Sequence, residues 1–283
     1  MVTGETRYSL DSVKQDVMSF FTNDGHWAYQ YGSKAVSCGK DSVFYKKQIQ
    51  VIFEDRYPTY VASYPHDVTG KAVNELIEDK FLKAEPRTFG KNMHAIFVYR
   101  HNVRYTAMVI KMKTKILERF SDDEVNDGVG KYAEILFSHM FEKNQFKIIG
   151  RNINTFRGKA WSKSDKNLDF IIEKDEISYG VEIKNTFDYM PQDEFEEKLE
   201  MCEFLGLLPL FPLRCPSELQ YAQMKDCGGL ALKFKTRIFP PDFQGLVTDI
   251  WNNFRLPVNI WEEIRPPIEA VFLNYHHHNL LAP

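Results

Sequence analysis

The chain has 283 residues, enough for two domains of ordinary size, with 43% hydrophobic and 27% charged residues. This composition excludes collagen-like, coiled-coil and wholly disordered proteins. The formal net charge of −3 argues against a protein with a basic excess, a common feature of nucleic-acid-binding proteins. The acidity is local, because residues 191–283 carry a net charge of −5 and residues 1–190 are slightly basic. Local basic surfaces are therefore still compatible with the sequence.

Two further features concern the cellular compartment. The longest apolar run, Phe204 to Leu213, has ten residues, about half of the ~20 that a membrane-spanning helix needs. The first fifteen residues hold no apolar segment typical of a secretory signal, so we expect a cytoplasmic protein with no membrane partner. The widely spaced cysteines form no CxxC pair, and we expect them to be small buried side chains: Cys38, Cys202, Cys215 and Cys227.

Residues 1–102 predict a helical domain that ends in a hairpin. Apolar periodicity predicts helices over 9–22 and 43–55, and a third from about Asp67 that ends at Pro86. Two short extended runs then flank a turn at Gly90-Lys91-Asn92. This order is typical of a winged helix, a DNA-binding domain. The alternative is a small α+β domain whose lysines only form a solvated face.

In the winged-helix interpretation, basic residues on the third helix, near its end and on the wing would contact nucleic acid. The candidates are Lys71, Lys80, Lys83, Arg87 and Lys91.

The rest of the chain divides into three parts by composition. Residues 103–125 predict a linker helix that ends in an acidic loop at 121–124. Residues 126–240 predict a second domain. Residues 241–283 predict a C-terminal helical extension, and we expect its run of three histidines, His276 to His278, to lie in a flexible tail.

The second domain opens with an amphipathic helix from residue 126. Its apolar residues recur at helical spacing, and Glu134 flanks this stripe, although a solvated glutamate is the alternative. A strand is expected over 146–153. A basic loop follows, with four candidates for contact with nucleic acid: Arg157, Lys159, Lys163 and Lys166.

Two alternating segments, 168–173 and 181–184, predict a β-hairpin with its turn between Asp175 and Glu176. Asp169 and Glu182 would then be cross-strand partners with Cβ atoms about 5 Å apart. Two carboxylates this close repel each other, and a divalent cation or a neighbouring lysine, Lys184, would relieve the repulsion. Hard cations held by one or two carboxylates serve phosphodiester hydrolysis. The alternative is a surface hairpin with a structural Glu–Lys pair.

Asp169 and the downstream Glu182-Ile183-Lys184, with Glu134 on the preceding helix, resemble the PD-(D/E)XK nuclease superfamily. The resemblance covers roughly residues 126–240. It implies an α/β fold of the restriction-endonuclease type, a mixed central sheet flanked by helices, here preceded by the winged-helix-like domain. It also implies that Asp169, Glu182 and Glu134 bind Mg²⁺, with Mn²⁺ as a substitute. Lys184 would assist the attacking water.

The pattern departs from the family at two places. Leu168 stands where the family motif has proline, and the strand expected after the next helix contains two prolines, Pro209 and Pro212. Such a strand would be short or bulged, or the topology would differ there.

The resemblance leaves several functions open. It implies a magnesium-dependent DNA endonuclease of the restriction type acting on duplex DNA, with a Holliday junction or repair nuclease as an alternative. A second possible function is a non-catalytic DNA-binding protein on a nuclease-like scaffold, and a third is a protein-interaction module. A homodimer is compatible with each of them.

Overall fold

A computed structural model of the chain describes residues 9–22, 28–31, 34–37, 43–54, 64–90 and 93–281. The chain forms two compact units, one of residues 1–125 and 245–257, the other of residues 126–244 and 258–283. None of the helices in the described part of the chain combines the length and apolarity needed to cross a bilayer.

The helices are α1 (Leu10–Thr22), α2 (Lys46–Glu54), α3 (His66–Glu78), α4 (Thr106–Phe120), α5 (Asp123–Lys143), α6 (Gln192–Leu205), α7 (Glu218–Asp226), α8 (Gln244–Phe254) and α9 (Pro266–Leu281). The strands are β1 (Ala28–Tyr31), β2 (Lys34–Ser37), β3 (Phe44–Tyr45), β4 (Leu82–Phe89), β5 (Met93–Arg100), β6 (Lys147–Ile153), β7 (Thr155–Phe156), β8 (Lys159–Ala160), β9 (Leu168–Lys174), β10 (Ile177–Val181), β11 (Leu208–Leu213), β12 (Leu230–Lys233), β13 (Arg237–Phe239) and β14 (Val258–Ile260).

The first unit packs helices α1, α2 and α3 against an antiparallel sheet of strand order β3-β5-β4. Its core contains an aromatic cluster in which the ring of Phe20 contacts those of Phe21, Phe44 and Phe53 edge-on, with centroids 4.9 to 5.6 Å apart. Strands β1 and β2 form a separate hairpin. The predicted helices are present, and β3 is a short strand at the start of the segment expected to be helical throughout.

The third helix ends earlier than predicted. α3 ends at Glu78, and the backbone turns at Lys80, which adopts φ = +60°, into β4. The expectation that Pro86 ends the helix is therefore wrong, because Pro86 lies within β4, opposite Ile96. β4 is an edge strand, the position in a sheet where proline is tolerated.

The predicted linker and C-terminal extension are distributed between the units. α4 belongs to the first unit, where Lys113 Nζ donates to the carbonyl of Val43 at 2.5 Å. The expected acidic loop instead begins α5, whose Glu124 N–H is bonded to Asp122 Oδ1 at 2.9 Å. α8 also belongs to the first unit, and Gln48 Nε2 donates to its Phe254 carbonyl at 2.6 Å.

The second unit contains a mixed five-stranded sheet of order β12-β11-β10-β9-β6. The pairs β6-β9 and β9-β10 are antiparallel, and β10-β11 and β11-β12 are parallel. α5 and α9 contribute to the core on one face, and α6 and α7 contribute to the core on the other. The predicted α/β architecture, a mixed sheet flanked by helices, is confirmed at this level.

β11 is a regular strand despite its two prolines. Pro209 precedes the first residue of β11 that pairs with β12, Leu210, and Pro212 lies beyond the last residue that pairs with the β10 ladder. Pro209 therefore lies where β12 is not yet part of the ladder. Beside Pro212 the segment after β10 continues, and its Lys184 N–H donates to the Pro212 carbonyl at 2.9 Å. Gly229 is required beside Pro209, because a Cβ there would lie 2.8 Å from the Pro209 carbonyl oxygen.

Two smaller expectations are wrong. The histidine run lies on α9, and His276 is buried, with Nδ1 2.9 Å from the Tyr179 hydroxyl. It is buried because α9 packs on the sheet through Phe272, whose ring centroid is 4.8 Å from that of Phe146. Cys202 and Cys215 are buried as expected, but Cys227 is exposed after α7, and Cys38 lies outside the described residues.

Candidate active site

Asp169 and Glu182 lie at the end of the β9-β10 hairpin, where the ladder stops. The last pair is Phe170 with Val181, so Asp169 and Glu182 occupy the next position in the predicted register. Asp169 Oδ2 accepts a hydrogen bond of 2.6 Å from the Ile183 N–H. Glu182 is only 5% exposed. Two adjacent strands therefore bring the two carboxylates to one end of the hairpin.

The surroundings disfavour the charged form of both groups. Burial, followed by the negative charge of Glu182, raises the pKa of Asp169 well above its usual value, and the Ile183 hydrogen bond only partly offsets this. Burial is also the main cause that raises the pKa of Glu182, against the lowering effect of Lys198. Such a pair is stabilised in its ionised form by a further cation.

Lys198, on α6, supplies one positive charge to this pair. Its Nζ lies 2.6 Å from Glu182 Oε2, and both side chains are about 7% exposed. The same ammonium group donates to the carbonyl oxygen of Asn167, two residues before Asp169. Lys198 therefore connects the two strand segments that carry the carboxylates.

Lys184 follows Glu182 by two residues, on the segment that continues along β11. Its N–H donates to the Pro212 carbonyl at 2.9 Å, which fixes the backbone. Its Nζ forms an ion pair of 2.7 Å with Glu194 Oε1 on α6, and both side chains are partly exposed. The lysine is therefore held beside the carboxylates with its ammonium group accessible to solvent.

Glu134 lies on α5 and is partly buried. Burial raises its pKa, and its charge contributes to the raised pKa of Asp169, so the two groups interact electrostatically. Asn185 fixes this helix to the segment after β10, because its Nδ2 donates to the Val129 carbonyl at 3.1 Å.

The residues fit an open cation site more closely than a closed one. Among the side chains that the structure describes, no three His, Cys, Asp or Glu residues form a group that could hold a metal ion. Mg²⁺ does not need such a group, because it is commonly held by one or two carboxylates, with water and substrate phosphate as the other ligands. Asp169 and Glu182 provide those two carboxylates, and Glu134 adds a negative charge nearby.

The basic loop of the second unit is partly neutralised by acidic neighbours. Arg157 and Lys163 form ion pairs of 2.7 Å with Glu173 and Glu200, and Lys166 pairs with Glu197 at 2.5 Å. Lys159 donates to the Phe204 carbonyl at 2.8 Å. These side chains are exposed or partly exposed, and exposed pairs are weak. Contact with a phosphate would replace such pairs at small cost.

The candidates of the first unit are dispersed over several elements. Lys71 is exposed on α3, Lys80 lies in the turn after it, and Lys83 is exposed on β4. Arg87, also on β4, is paired with Glu85. Lys91 lies outside the described residues.

Lys198 and Glu194 were not predicted from the sequence. Both lie on α6, whose buried positions include Phe195, Lys198 and Cys202. The signal in the sequence was that Lys198 falls at a position of α6 where apolar residues are expected. Lysine is almost never fully buried unless it is paired, so such a position indicates a buried partner.

No known protein family matches this chain, and neither a curated protein nor a solved structure is similar to it.

Proposed function

We propose that the chain is a divalent-metal-dependent DNA endonuclease. The observation that carries this proposal is the pair Asp169 and Glu182, two adjacent carboxylates whose pKa values are both raised, beside two lysines. This combination of buried negative charge and nearby ammonium groups is expected where a hard cation and a phosphate are to be bound together.

In this proposal Asp169 and Glu182 hold Mg²⁺ or Mn²⁺, and Glu134 contributes to the same site. A divalent ion held there would lower the pKa of water and offset negative charge on the phosphate. Lys184 positions the attacking water and pairs with the phosphate. The water oxygen forms a bond to phosphorus and gives up a proton, one ester P–O bond breaks, and the leaving oxygen takes up a proton.

The order of elements in the second unit supports a fold of the restriction-endonuclease type. A helix, α5, precedes three antiparallel strands, β6, β9 and β10, and the crossover helix α6 leads to the parallel strand β11. Asp169 lies at the start of β9, and Glu182 and Lys184 follow the end of β10, an arrangement compatible with the proposed fold.

The first unit is proposed to be a winged-helix-like DNA-binding domain. Apart from the separate β1-β2 hairpin, its helices and strands up to β5 follow the order α1-β3-α2-α3-β4-β5, and this order and the sheet order β3-β5-β4 support the assignment. α3 would then be the recognition helix, with Lys71 exposed on it, and the β4-β5 hairpin would be the wing. Duplex DNA is the substrate that this arrangement favours.

A second candidate function is a non-catalytic DNA-binding protein on the same scaffold. The ion pairs at the site favour it, because Glu182 and Lys184 both have internal partners, Lys198 and Glu194. In that case the lysines would replace a metal as the structural counter-ions of the carboxylates.

Plasmid cleavage assays with and without metal distinguish the endonuclease from the non-catalytic DNA-binding protein. Methylated and unmethylated plasmids are incubated with the wild type in Mg²⁺, in Mn²⁺ and in EDTA, beside Asp169→Ala and the exposed control Asp165→Ala. Metal-dependent cleavage that Asp169→Ala abolishes and Asp165→Ala retains supports the nuclease. Binding to DNA without cleavage on either plasmid supports the second candidate, and a branched substrate then tests the junction-nuclease alternative.

A further inference from the structure

Lys198 has a place at the candidate site that the proposed nuclease mechanism does not use. It is 5% exposed, and its ammonium group is held between Glu182 Oε2, at 2.6 Å, and the Asn167 carbonyl oxygen. By contrast, the ion pair of 2.7 Å between Lys163 and Glu200, which lies on α6, is exposed. Burial of a charged group is costly unless it is paired, so the pairing with Glu182 determines the position of Lys198.

We propose that Lys198 is a counter-ion that restricts the site to one divalent cation, an inference that rests on the proposed function. Its ammonium group contacts one oxygen of Glu182 and so occupies the side of that carboxylate which a second metal ion would need. Lys198 is then a positioning residue, because it orients the Glu182 carboxylate and leaves Oε1 for the metal.

The charges of the site agree with a single ion. Asp169, Glu182 and Glu134 carry three negative charges in the ionised form that binds a metal. Lys198 balances one of these charges, and Lys184 is already balanced by Glu194. Two negative charges are left, which is the charge that one divalent cation neutralises, and a second divalent ion would leave the site with an excess of positive charge.

The first experiment counts ions on the wild-type protein, with Mn²⁺ alone as the probe and no DNA. Isothermal titration calorimetry is expected to give one Mn²⁺ per chain. Two ions of comparable affinity would overturn the role of Lys198 and leave the nuclease proposal standing. No binding up to millimolar Mn²⁺ would also overturn the role of Lys198, and plasmid cleavage in Mg²⁺ and in EDTA then decides the nuclease proposal separately.

The second experiment removes the charge with Lys198→Met and measures the melting temperature with and without Mn²⁺. In EDTA the buried Glu182 loses its partner, and we expect the melting temperature to fall by about 10 °C. Mn²⁺ is expected to restore at least half of this loss, and to bind at least about tenfold more tightly than to the wild type. The control Lys163→Met, in the loop before β9, loses an exposed ion pair with Glu200 of α6, so its melting temperature should change little and equally in both buffers.

The comparison separates a counter-ion from a merely structural lysine. If Lys198→Met is destabilised by the same amount in EDTA and in Mn²⁺, the inference is wrong. If Lys198→Met does not fold in EDTA but folds in Mn²⁺, the inference is supported. If it folds in neither, the double variant Lys198→Met/Glu182→Gln, which removes both charges of the buried pair, is expected to fold and to bind Mn²⁺ more weakly than the wild type. Unchanged Mn²⁺ affinity in the double variant would overturn the role of Glu182 and Lys198 at the metal.

Discussion

The side chain of Asp169 is fixed by the residue after Glu182, since its Oδ2 accepts a hydrogen bond of 2.6 Å from the Ile183 N–H. One oxygen of Asp169 is therefore used by the backbone of the neighbouring strand segment, and the other is left for a ligand. The charged form gains from this bond, but burial and Glu182 outweigh the gain and raise the pKa of Asp169.

The first prediction concerns Asp169→Asn. The amide oxygen can still accept the Ile183 hydrogen bond, so the local geometry is retained while the negative charge is lost. We expect metal-dependent plasmid cleavage to fall at least about 100-fold, because the metal loses a carboxylate ligand. In EDTA at neutral pH the melting temperature should stay the same or rise, because a repelling buried charge is removed.

Asp165→Asn is the matched control, an exposed aspartate four residues earlier in the chain. Its cleavage rate and its melting temperature should both equal those of the wild type. A melting temperature of Asp169→Asn well below that of the wild type would show that the carboxylate stabilises the metal-free fold, contrary to this prediction.

The second prediction is a pH dependence of stability in the absence of metal. Asp169 and Glu182 have ordinary pKa values of 3.8 and 4.5 that are raised in the folded protein. As pH rises above these ordinary values, the unfolded chain releases protons that the folded site retains, so these two groups lower the free energy of unfolding. The loss is complete once pH exceeds the raised pKa values.

This contribution is isolated by comparison with the double variant Asp169→Asn/Glu182→Gln. In EDTA, the melting temperature of the wild type relative to the variant should decline between pH 4 and pH 8. Saturating Mn²⁺ should remove the decline at neutral pH, because the ion favours the ionised carboxylates. A wild-type melting temperature that rises relative to the variant over the same interval would contradict the raised pKa values.

The register of the site hairpin was predictable because the signals are local. Side chains alternate along β9 and β10, and the turn residues Asp175 and Glu176 both adopt positive φ, +51° and +64°. A two-residue turn with both φ positive fixes the pairing of the strands that it connects. Asp169 and Glu182 could therefore be placed opposite each other before any tertiary contact was known.

The partners of these residues were not predictable, because they depend on tertiary packing. The contact of Glu182 with Lys198 joins residues 16 positions apart on a strand segment and a helix. Sequence periodicity shows that Lys198 falls among buried positions of α6, but not which group on the sheet it meets. The burial of His276 also depends on how α9 docks, which a run of three histidines does not indicate.

The prolines of the chain also show that some features depend on tertiary packing and cannot be predicted from the sequence. Pro86 was expected to end a helix and instead lies in the edge strand β4, where proline is tolerated. Pro209 and Pro212 lie in a central strand. Pro209 precedes the residues that pair with β12, and Pro212 accepts a hydrogen bond from Lys184 of the segment after β10. Whether a proline is tolerated thus depends on which neighbours are present at that position, and the sequence alone does not contain this information.

The third prediction distinguishes the role of the Lys184 side chain from that of its ion pair with Glu194. Lys184→Met should lower kcat about 100-fold with little change in KM, because the lysine acts on the water and phosphate in the transition state. Its melting temperature should change by less than about 2 °C, since the pair with Glu194 is partly exposed.

Glu194→Gln provides the control, because it breaks the same ion pair and keeps Lys184. Its cleavage rate should stay within tenfold of the wild type. Equal losses of kcat in both variants would show that the ion pair, rather than the lysine itself, is required.

The last prediction concerns DNA binding by the first unit. Lys71 is exposed on α3, and its distance to Asp67 is 3.9 Å, so the ion pair competes little with a phosphate. We expect Lys71→Ala to weaken duplex binding in EDTA and to reduce the slope of log Kd against log salt by about 1, the amount for one lost phosphate contact. The control Lys225→Ala removes an exposed lysine from α7 and should leave the slope unchanged. Fluorescence anisotropy with a labelled duplex between 50 and 200 mM salt measures both variants, and an unchanged slope for Lys71→Ala would place the DNA surface elsewhere.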